Sequence, residues 1–163
     1  MAIAFDGRRQ TAGLAGPADR MTWTADGAGS GQFVVADSHA MAYVGFGSAP
    51  KAGVGLESPF AAVVVVPADP SKSLKDADRL LVTAMARSQN PGMVWNEKRT
   101  SVSTKWGKAP PQVEVVKGTL KLDADYVVRA LDSGGKVIKE YATEKGTLKL
   151  GEAPTVWYEL VRK

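Results

Sequence analysis

Short apolar runs rich in β-branched residues, each closed by turn residues, constrain this chain most. The clearest of these runs, residues 59–67, contains four consecutive valines and has a proline at each end. Helix is disfavoured there because β-branched side chains lose χ1 freedom in a helix, and the pattern predicts a short strand buried on both faces. About ten to twelve such runs recur at intervals of roughly 8–12 residues. The sequence therefore predicts an all-β fold, a β-sandwich of jelly-roll or Greek-key type.

Residues 79–87 form a second strong run, which we interpret as a strand. Their Leu, Ala, Met and Arg side chains would also suit a helix, so helix stays open as the alternative. The chain has 163 residues, enough to bury a core without disulfides or metals. We therefore expect one β-sandwich domain over 1–163, with 1–19 as a candidate irregular N-terminal segment.

An internal repeat marks the C-terminal third. The pentapeptide Gly-Thr-Leu-Lys-Leu occurs at 118–122 and again at 146–150. Alternation along a strand places both leucines of each copy on one face. Each copy leads through a few turn residues into an apolar strand, and 132–135 has the composition of a hairpin turn. The repeat predicts a meander of related hairpins.

The residues that are absent exclude several classes of chemistry. The chain has no cysteine and one histidine, His39, which excludes thiolate nucleophiles, thiolate metal sites and multi-histidine zinc sites. No window approaches about 18 consecutive apolar residues, so no membrane span is predicted. The net charge of +4 comes with no basic run longer than two, which predicts thinly spread charge and no nucleic-acid partner.

The longest irregular region, residues 88–112, holds the strongest candidate binding site. Loops of this length are usually functional or mobile, and this one contains two of the four tryptophans. Sugar rings need exposed aromatic rings for stacking and polar groups for their hydroxyls. The alternative, that the loop tryptophans fold inward and cover one end of the sandwich, stays open. The candidate ligand-binding residues are Trp95, Trp106, Trp23, Tyr43, Asn96, Glu97 and Arg99.

For the other motifs we prefer an ordinary structural role to a catalytic or metal-binding one. Trp95-Asn96-Glu97 is similar to the acid/base motif of barrel glycosidases, but the chain is shorter than the roughly 250 residues of that barrel. No catalytic residue, metal site or cofactor is predicted. A structural calcium ion stays open at two acidic clusters, where turn and cap chemistry is the competing explanation. These clusters are 76–78 and 123–125.

Several segments together carry a resemblance to a known family. They are SPFAAV at 58–63, RLLVTAMAR at 79–87, NPGMVWN at 90–96, RTSV at 99–102 and the Trp-Gly pair at 106–107, with TVWYE at 155–159 and residues 31–46 in supporting positions. This set resembles the C-terminal β-sandwich domain appended to large bacterial glycoside hydrolases. The resemblance implies a non-catalytic module that either binds carbohydrate or completes the fold of a catalytic barrel.

The functional prediction combines the loop chemistry with this resemblance. We expect a carbohydrate-binding module of a secreted, extracellular enzyme that degrades plant polysaccharides, binding β-glucan chains such as cellulose. Its expected partners are a polysaccharide or oligosaccharide and the catalytic domain of the same polypeptide. The alternative is a structural β-sandwich that packs on and stabilises that catalytic barrel without binding sugar. A small jelly-roll enzyme is a third hypothesis, which no paired-carboxylate signature supports.

Overall fold

A computed structural model describes residues 2–5, 10–15, 20–25 and 31–163, with side chains from residue 31 onward except at position 51. Within these residues the chain forms fourteen strands and one short 3-10 helix, Pro50–Ala52. The strands are β1 (Ala2–Phe5), β2 (Gln10–Ala15), β3 (Arg20–Ala25), β4 (Gly31–Ala36), β5 (Met41–Phe46), β6 (Val54–Leu56), β7 (Phe60–Pro67), β8 (Arg79–Gln89), β9 (Gln112–Val115), β10 (Gly118–Lys121), β11 (Tyr126–Leu131), β12 (Val137–Ala142), β13 (Thr147–Leu150) and β14 (Trp157–Arg162).

The strands form two antiparallel sheets. The large sheet has eleven strands in the order β1-β2-β3-β4-β5-β7-β8-β14-β11-β12, with β9 paired to β8, and the small sheet has the order β13-β10-β6. The prediction of an all-β sandwich is confirmed, and 79–87 lies in strand β8 rather than in a helix. Within the expected irregular segment 1–19, β1 and β2 extend the large sheet. Their small residues, Ala, Gly and Thr, gave no clear alternation.

The core lies between the two sheets. Alternation along each strand sends every second side chain inward, and the inward residues of both sheets form one buried cluster. The large sheet contributes Tyr43, Val63, Val65, Leu80, Val82, Tyr126, Val128, Tyr158 and Leu160, and the small sheet contributes Val54, Leu120, Leu148 and Leu150. The described residues contain no helix long and apolar enough to cross a membrane.

The two copies of the repeat become neighbours. Strands β10 and β13 pair antiparallel in the small sheet, with Leu120 opposite Leu148. The strands that follow them, β11 and β14, pair antiparallel in the large sheet. The expected meander of hairpins is therefore wrong, because each copy crosses from one sheet to the other. In each copy the leucines pack into the core from the small sheet, and the strand that follows packs into the same core from the large sheet.

Gly118 sits where the first copy begins, and its backbone explains why the repeat starts with glycine. Its φ is +152°, and a Cβ there would collide with the carbonyl oxygen of Gly55 on the neighbouring strand β6. Only glycine allows strands to approach this closely. The hairpin turn predicted at 132–135 is confirmed between β11 and β12, where the Gly135 amide donates to the Asp132 carbonyl at 3.0 Å.

The four-valine run is buried on one face only. Val63 and Val65 are buried between the sheets, whereas Val64 is exposed on the opposite side of the large sheet. The expectation of burial on both faces is therefore wrong. Within the described part of the chain, the small sheet covers only the inner side, and the outer side carries apolar residues without a covering layer.

Candidate functional site

The connection between β8 and β9, residues 90–111, is an ordered loop that we call the tryptophan loop. Its two limbs pair through a β-bridge between Met93 and Trp106. The Val94 amide donates to the carbonyl oxygen of Lys105 at 3.1 Å, which extends this pairing. Backbone pairing of this kind fixes a long loop that would otherwise have to be ordered by its ligand.

A side-chain hydrogen bond and a closely packed glycine also fix the limb that carries Trp106. The Asn90 side chain donates from Nδ2 to the carbonyl oxygen of Trp106 at 3.1 Å. The next residue, Gly107, has φ +72°, and a Cβ there would collide with the carbonyl oxygen of Pro91 and lie 2.7 Å from the Met93 amide nitrogen. A larger residue does not fit at this position, so the sequence Trp-Gly itself helps to set the loop conformation.

Both loop tryptophans are exposed. Trp106 is 63% exposed and Trp95 is 38% exposed, so the alternative in which they fold inward is not what the structure shows. The guanidinium carbon of Arg99 lies 5.5 Å from the centroid of the Trp95 ring, within the range of a cation–π contact. Among the described side chains, no cation or aromatic ring stacks on Trp106.

The remaining loop candidates have different roles. Glu97 is exposed and follows Trp95 by two residues in the loop. The Asn96 side chain is used within the loop, since its Oδ1 accepts from the Thr100 amide at 2.8 Å and its Nδ2 donates to Thr100 Oγ1 at 3.0 Å. These bonds close the turn that brings Arg99 back over Trp95. In this geometry Asn96 shapes the site through its Oδ1 atom and one of its two Nδ2 hydrogens.

Two further candidates lie away from this loop. Tyr43 is fully buried on the inner side of β5, and its hydroxyl donates to the carbonyl oxygen of Gly47 at 2.7 Å. Burial raises the pKa of that hydroxyl. The prediction that Tyr43 contacts a ligand is therefore wrong, because strand alternation turns it into the core. Trp23 belongs to β3, but its side chain lies outside the described part of the structure.

Next to the loop lies a polar cleft of about 350 Å³ that the sequence did not reveal, which we call the arginine cleft. Its lining residues are Arg87, Gln89, Arg99, Gln112, Val113 and Glu114. Gln89 pairs with Gln112 where β8 and β9 meet, so the cleft forms at the neck of the loop. Arg87 Nε donates to Glu114 Oε2 at 3.1 Å. The sequence signal that could have indicated this cleft is the polar composition of the end of β8 and the start of β9, on either side of the long loop.

The loop and its flanking strand ends carry a net positive charge. Segment 87–114 carries five basic residues and two acidic ones, and so three of the four net positive charges of the chain. Within this segment no basic run is longer than two residues, so the expectation of thinly spread charge stays a prediction. Of the basic residues, Arg87 and Arg99 line the arginine cleft. The five basic residues of the segment are Arg87, Lys98, Arg99, Lys105 and Lys108.

A second cavity, of about 720 Å³, opens between the sheets at the opposite end of β8. Its floor includes Val65, Leu80 and Leu122, and Arg162 lies on its rim. The Arg162 Nη2 atom donates to the Lys75 carbonyl oxygen at 2.7 Å. Leu80 and Arg87 are seven residues apart along a strand, or roughly 23 Å, so this cavity is separate from the tryptophan loop.

The two carboxylates of the acidic cluster at 123–125 accept hydrogen bonds from neighbouring residues of the protein. Asp125 Oδ1 accepts from the Gly146 amide at 2.7 Å and from Thr143 Oγ1 at 3.1 Å, and these bonds lower the pKa of Asp125. Asp123 Oδ1 accepts from the Tyr126 hydroxyl at 2.9 Å. In the part of the chain with described side chains, no three His, Asp or Glu residues are grouped to hold a metal. Calcium binding stays an untested expectation.

The outer face of the large sheet is a second candidate surface. Strand register places Val64, Thr83 and Trp157 side by side on three neighbouring strands. The Phe46 and Phe60 rings lie on the same face with centroids 5.2 Å apart. Trp157 is 42% exposed, which is unusual for a central strand. The exposed large apolar side chains on this face are Phe46, Val64, Leu81, Met85 and Trp157.

No family model, no curated protein and no solved structure matches this chain. Function is therefore inferred from the chemistry of the tryptophan loop, the arginine cleft and the outer face.

Proposed function

We propose that this protein is a non-catalytic carbohydrate-binding module whose ligand contacts the tryptophan loop. The observation that carries the proposal is the exposure of Trp95 and Trp106 on a loop whose backbone is fixed by internal pairing. Exposed tryptophans are costly to hydrate and are depleted from ordinary surfaces. A preformed loop also avoids the entropic cost of ordering on binding, which favours recognition.

Trp106 provides the stacking platform. Its ring is the more exposed of the two, and the flat apolar C–H face of a pyranose matches an indole ring. Trp95 offers a second ring whose orientation is supported by Arg99. Glu97 and the amides of the arginine cleft supply acceptors and donors for sugar hydroxyls.

The wider setting follows from the sequence resemblance to accessory domains of bacterial glycoside hydrolases. We propose that the module belongs to a secreted enzyme acting on plant polysaccharides and works outside the cell. In this role it holds the catalytic domain of the same polypeptide near its substrate. Catalysis is assigned to that domain, and no residue of this chain is proposed as catalytic.

The test is affinity gel electrophoresis with soluble polysaccharides in the gel. The panel contains hydroxyethyl cellulose, xyloglucan, mixed-linkage glucan, xylan and a polyuronate. We expect at least one to retard the protein, and Trp106→Ala to weaken that binding at least tenfold, as for a central aromatic contact. Trp157→Ala, which removes an exposed ring from the outer face, is the matched control and leaves retardation unchanged. Lack of retardation by the whole panel contradicts the proposal.

The outer face supports a second candidate function, a structural module that stabilises a catalytic barrel. A cluster of exposed apolar side chains on a soluble domain often marks a protein contact. On this face Val64 and Trp157 flank Thr83, and Met85 lies two residues further along the strand of Thr83. In a polypeptide that contains both domains, Met85→Lys is then expected to lower the unfolding temperature of the catalytic domain. The isolated module with the same substitution should unfold as before, because Met85 is outside the core. No change in the catalytic domain excludes this candidate.

A further inference from the structure

We infer that the ligand of the tryptophan loop is an acidic polysaccharide, one whose pyranose rings carry carboxylates, rather than a neutral β-glucan. This inference rests on the proposed function and specifies its ligand class. It depends on where the charge lies, on the composition of the arginine cleft and on the position of Arg99 between the cleft and the Trp95 ring.

The first step is the distribution of charge. Three of the four net positive charges of the chain belong to segment 87–114, and the basic residues of the loop, Lys98, Arg99, Lys105 and Lys108, are all exposed. Such a concentration raises the local concentration of an anionic ligand and accelerates its association. A neutral glucan gains nothing from this field. The charge thus distinguishes two ligands that would stack equally well on tryptophan.

The second step is the arginine cleft itself. It brings Arg87 and Arg99 together with the amides of Gln89 and Gln112. A guanidinium group presents a planar set of donors that matches a carboxylate in a bidentate manner. The two amides offer both donors and acceptors, as the hydroxyls of a sugar require. A uronate presents a carboxylate and several hydroxyls on one ring, so it satisfies both kinds of group at once.

The third step is the position of Arg99. It lines the arginine cleft, and its guanidinium carbon also lies 5.5 Å from the Trp95 ring centroid. The carboxylate of a uronate projects from the edge of the pyranose, whereas stacking uses the face of the ring. A site for an acidic sugar therefore needs a cation close to an aromatic surface, and here Arg99 lies over one face of the Trp95 ring, in the same loop as the exposed Trp106 ring.

The Arg87–Glu114 pair sets a limit on nonspecific anion binding. Arg87 Nε donates a hydrogen bond to Glu114 Oε2 at 3.1 Å. The cleft therefore contains one carboxylate as well as two guanidinium groups. This carboxylate partly neutralises Arg87 and repels any anionic ligand, so charge attraction alone is weakened at the cleft. Single-stranded nucleic acid also combines charge with stacking bases, and it serves as the competing polyanion in the test.

The experiment compares polygalacturonate with its fully methyl-esterified form by affinity electrophoresis and calorimetry. The two polymers share backbone and hydroxyls and differ in the carboxylate charge. We expect at least tenfold tighter binding of the free acid, and weakening of that binding by 0.5 M NaCl. Arg99→Gln should reduce the preference at least fivefold. Lys72→Gln removes one exposed positive charge near the opposite end of β8 and should leave the preference unchanged.

The other possible outcomes show whether the acidic ligand alone, or the carbohydrate-binding function as well, is wrong. Equal binding of the acid and the ester, or binding of neutral glucans alone, overturns the acidic ligand and leaves the carbohydrate-binding function standing. Binding of polyadenylate at least as tight as polygalacturonate overturns it in favour of general polyanion binding. If no polysaccharide in either panel binds, both the inference and the proposed function are wrong.

Discussion

Glu159 is a carboxylate buried on the outer face of the large sheet, and its charge depends on two arginines. Its side chain is 11% exposed, and it accepts from Arg79 at Oε1 and from Arg129 at Oε2, the latter at 3.2 Å. Burial raises the pKa of Glu159, but the two guanidinium hydrogen bonds outweigh it and hold the pKa below its usual value. Ionised Glu159 therefore stabilises the native state.

The sign of this pH dependence follows from the lowered native pKa. The stabilisation is present above the unfolded pKa, about 4.3, and is lost as the pH falls through the native pKa. We expect Glu159→Gln to lower the free energy of unfolding at pH 7 by about 1–2 kcal/mol, a range reduced for the partial exposure of both arginines. Urea unfolding between pH 3 and 7 measures it, and the difference from wild type should shrink below pH 4.

A matched control is Glu144→Gln, which removes a carboxylate from an exposed pair with Lys149. Exposed pairs contribute little, so this variant should stay within about 0.5 kcal/mol of wild type. A constant difference for Glu159→Gln across the whole pH range contradicts the assignment.

The conformation of the tryptophan loop depends on Gly107. We expect Gly107→Ala to destabilise the loop by about 1 kcal/mol or more, from the strain of a positive φ combined with a collision with Pro91. Limited tryptic digestion measures it as faster cleavage at the lysines and arginine of the loop. Gly92→Ala is the control, because Gly92 has a similar φ of +76° but its Cβ would meet no atom closer than 3.9 Å. Equal cleavage of the two variants contradicts the role of the collision.

Residue by residue, the exposure of the loop candidates could be predicted from the sequence better than the orientation of the strand candidates. Trp95, Trp106, Glu97 and Arg99 are exposed as the sugar-binding hypothesis requires, because polar, turn-rich sequence around a tryptophan favours the surface. Tyr43 could not be assigned, since its exposure depends on which side of β5 faces the core.

At the scale of elements, the repeat forms a pair of equivalent strands whose leucines share one core site. Leu120 and Leu148 are fully buried and opposite each other. We expect Leu120→Ala and Leu148→Ala to lower the free energy of unfolding by similar amounts, about 2–5 kcal/mol each, from lost burial and the cavity left behind. Chemical denaturation of both variants measures this.

The double variant tests whether the two sites are one packing unit. Neighbouring core residues couple by about 0.5–3 kcal/mol, so the double variant should depart from the sum of the single effects by at least that lower value. Lys149→Ala, an exposed residue in the same strand as Leu148, serves as the control with little effect. Strict additivity, or a cost for only one leucine, contradicts the equivalence of the two strands.

The sequence identifies these strands but not their partners. Alternation in the pentapeptide repeat and the apolar runs at 59–67 and 79–87 predict strands, which the structure confirms. The pairing of β10 with β13 and of β11 with β14 joins residues about thirty positions apart. No local pattern specifies such a contact, because it depends on how two separate apolar faces meet in three dimensions.

At the scale of the whole molecule, the described part of the sandwich has a polar end with a net positive charge and an outer face that carries several exposed apolar side chains beside the Glu159 ion pairs. The arginine cleft and the tryptophan loop lie at one end of β8, whereas Val64, Leu81 and Met85 lie on the outer face of the sheet. The two surfaces present different chemistry to different kinds of partner. If the proposed function holds, the two surfaces are placed so that a polysaccharide and a protein domain would not compete for the same side chains.

The outer face yields the last prediction. A contiguous apolar patch on a folded domain binds hydrophobic dyes and favours association at high concentration. We expect the native protein to enhance the fluorescence of 1-anilinonaphthalene-8-sulfonate and to self-associate in sedimentation velocity at high protein concentration. Met85→Lys places a charge in the middle of the patch and should reduce both signals by at least half, a rough expectation for a central contact. The fold should survive, because Met85 is outside the buried core.

Val94→Lys is the matched control, since Val94 is at least as exposed as Met85 but belongs to the tryptophan loop. It should leave dye binding and association unchanged. If Val94→Lys reduces the signals as much as Met85→Lys, the responsible surface is the loop and not the outer face. If neither variant changes them, the outer face has no affinity for apolar partners, and the structural role proposed for it loses its support. A selective effect of Met85→Lys assigns the contact to the side of the large sheet that the small sheet leaves open.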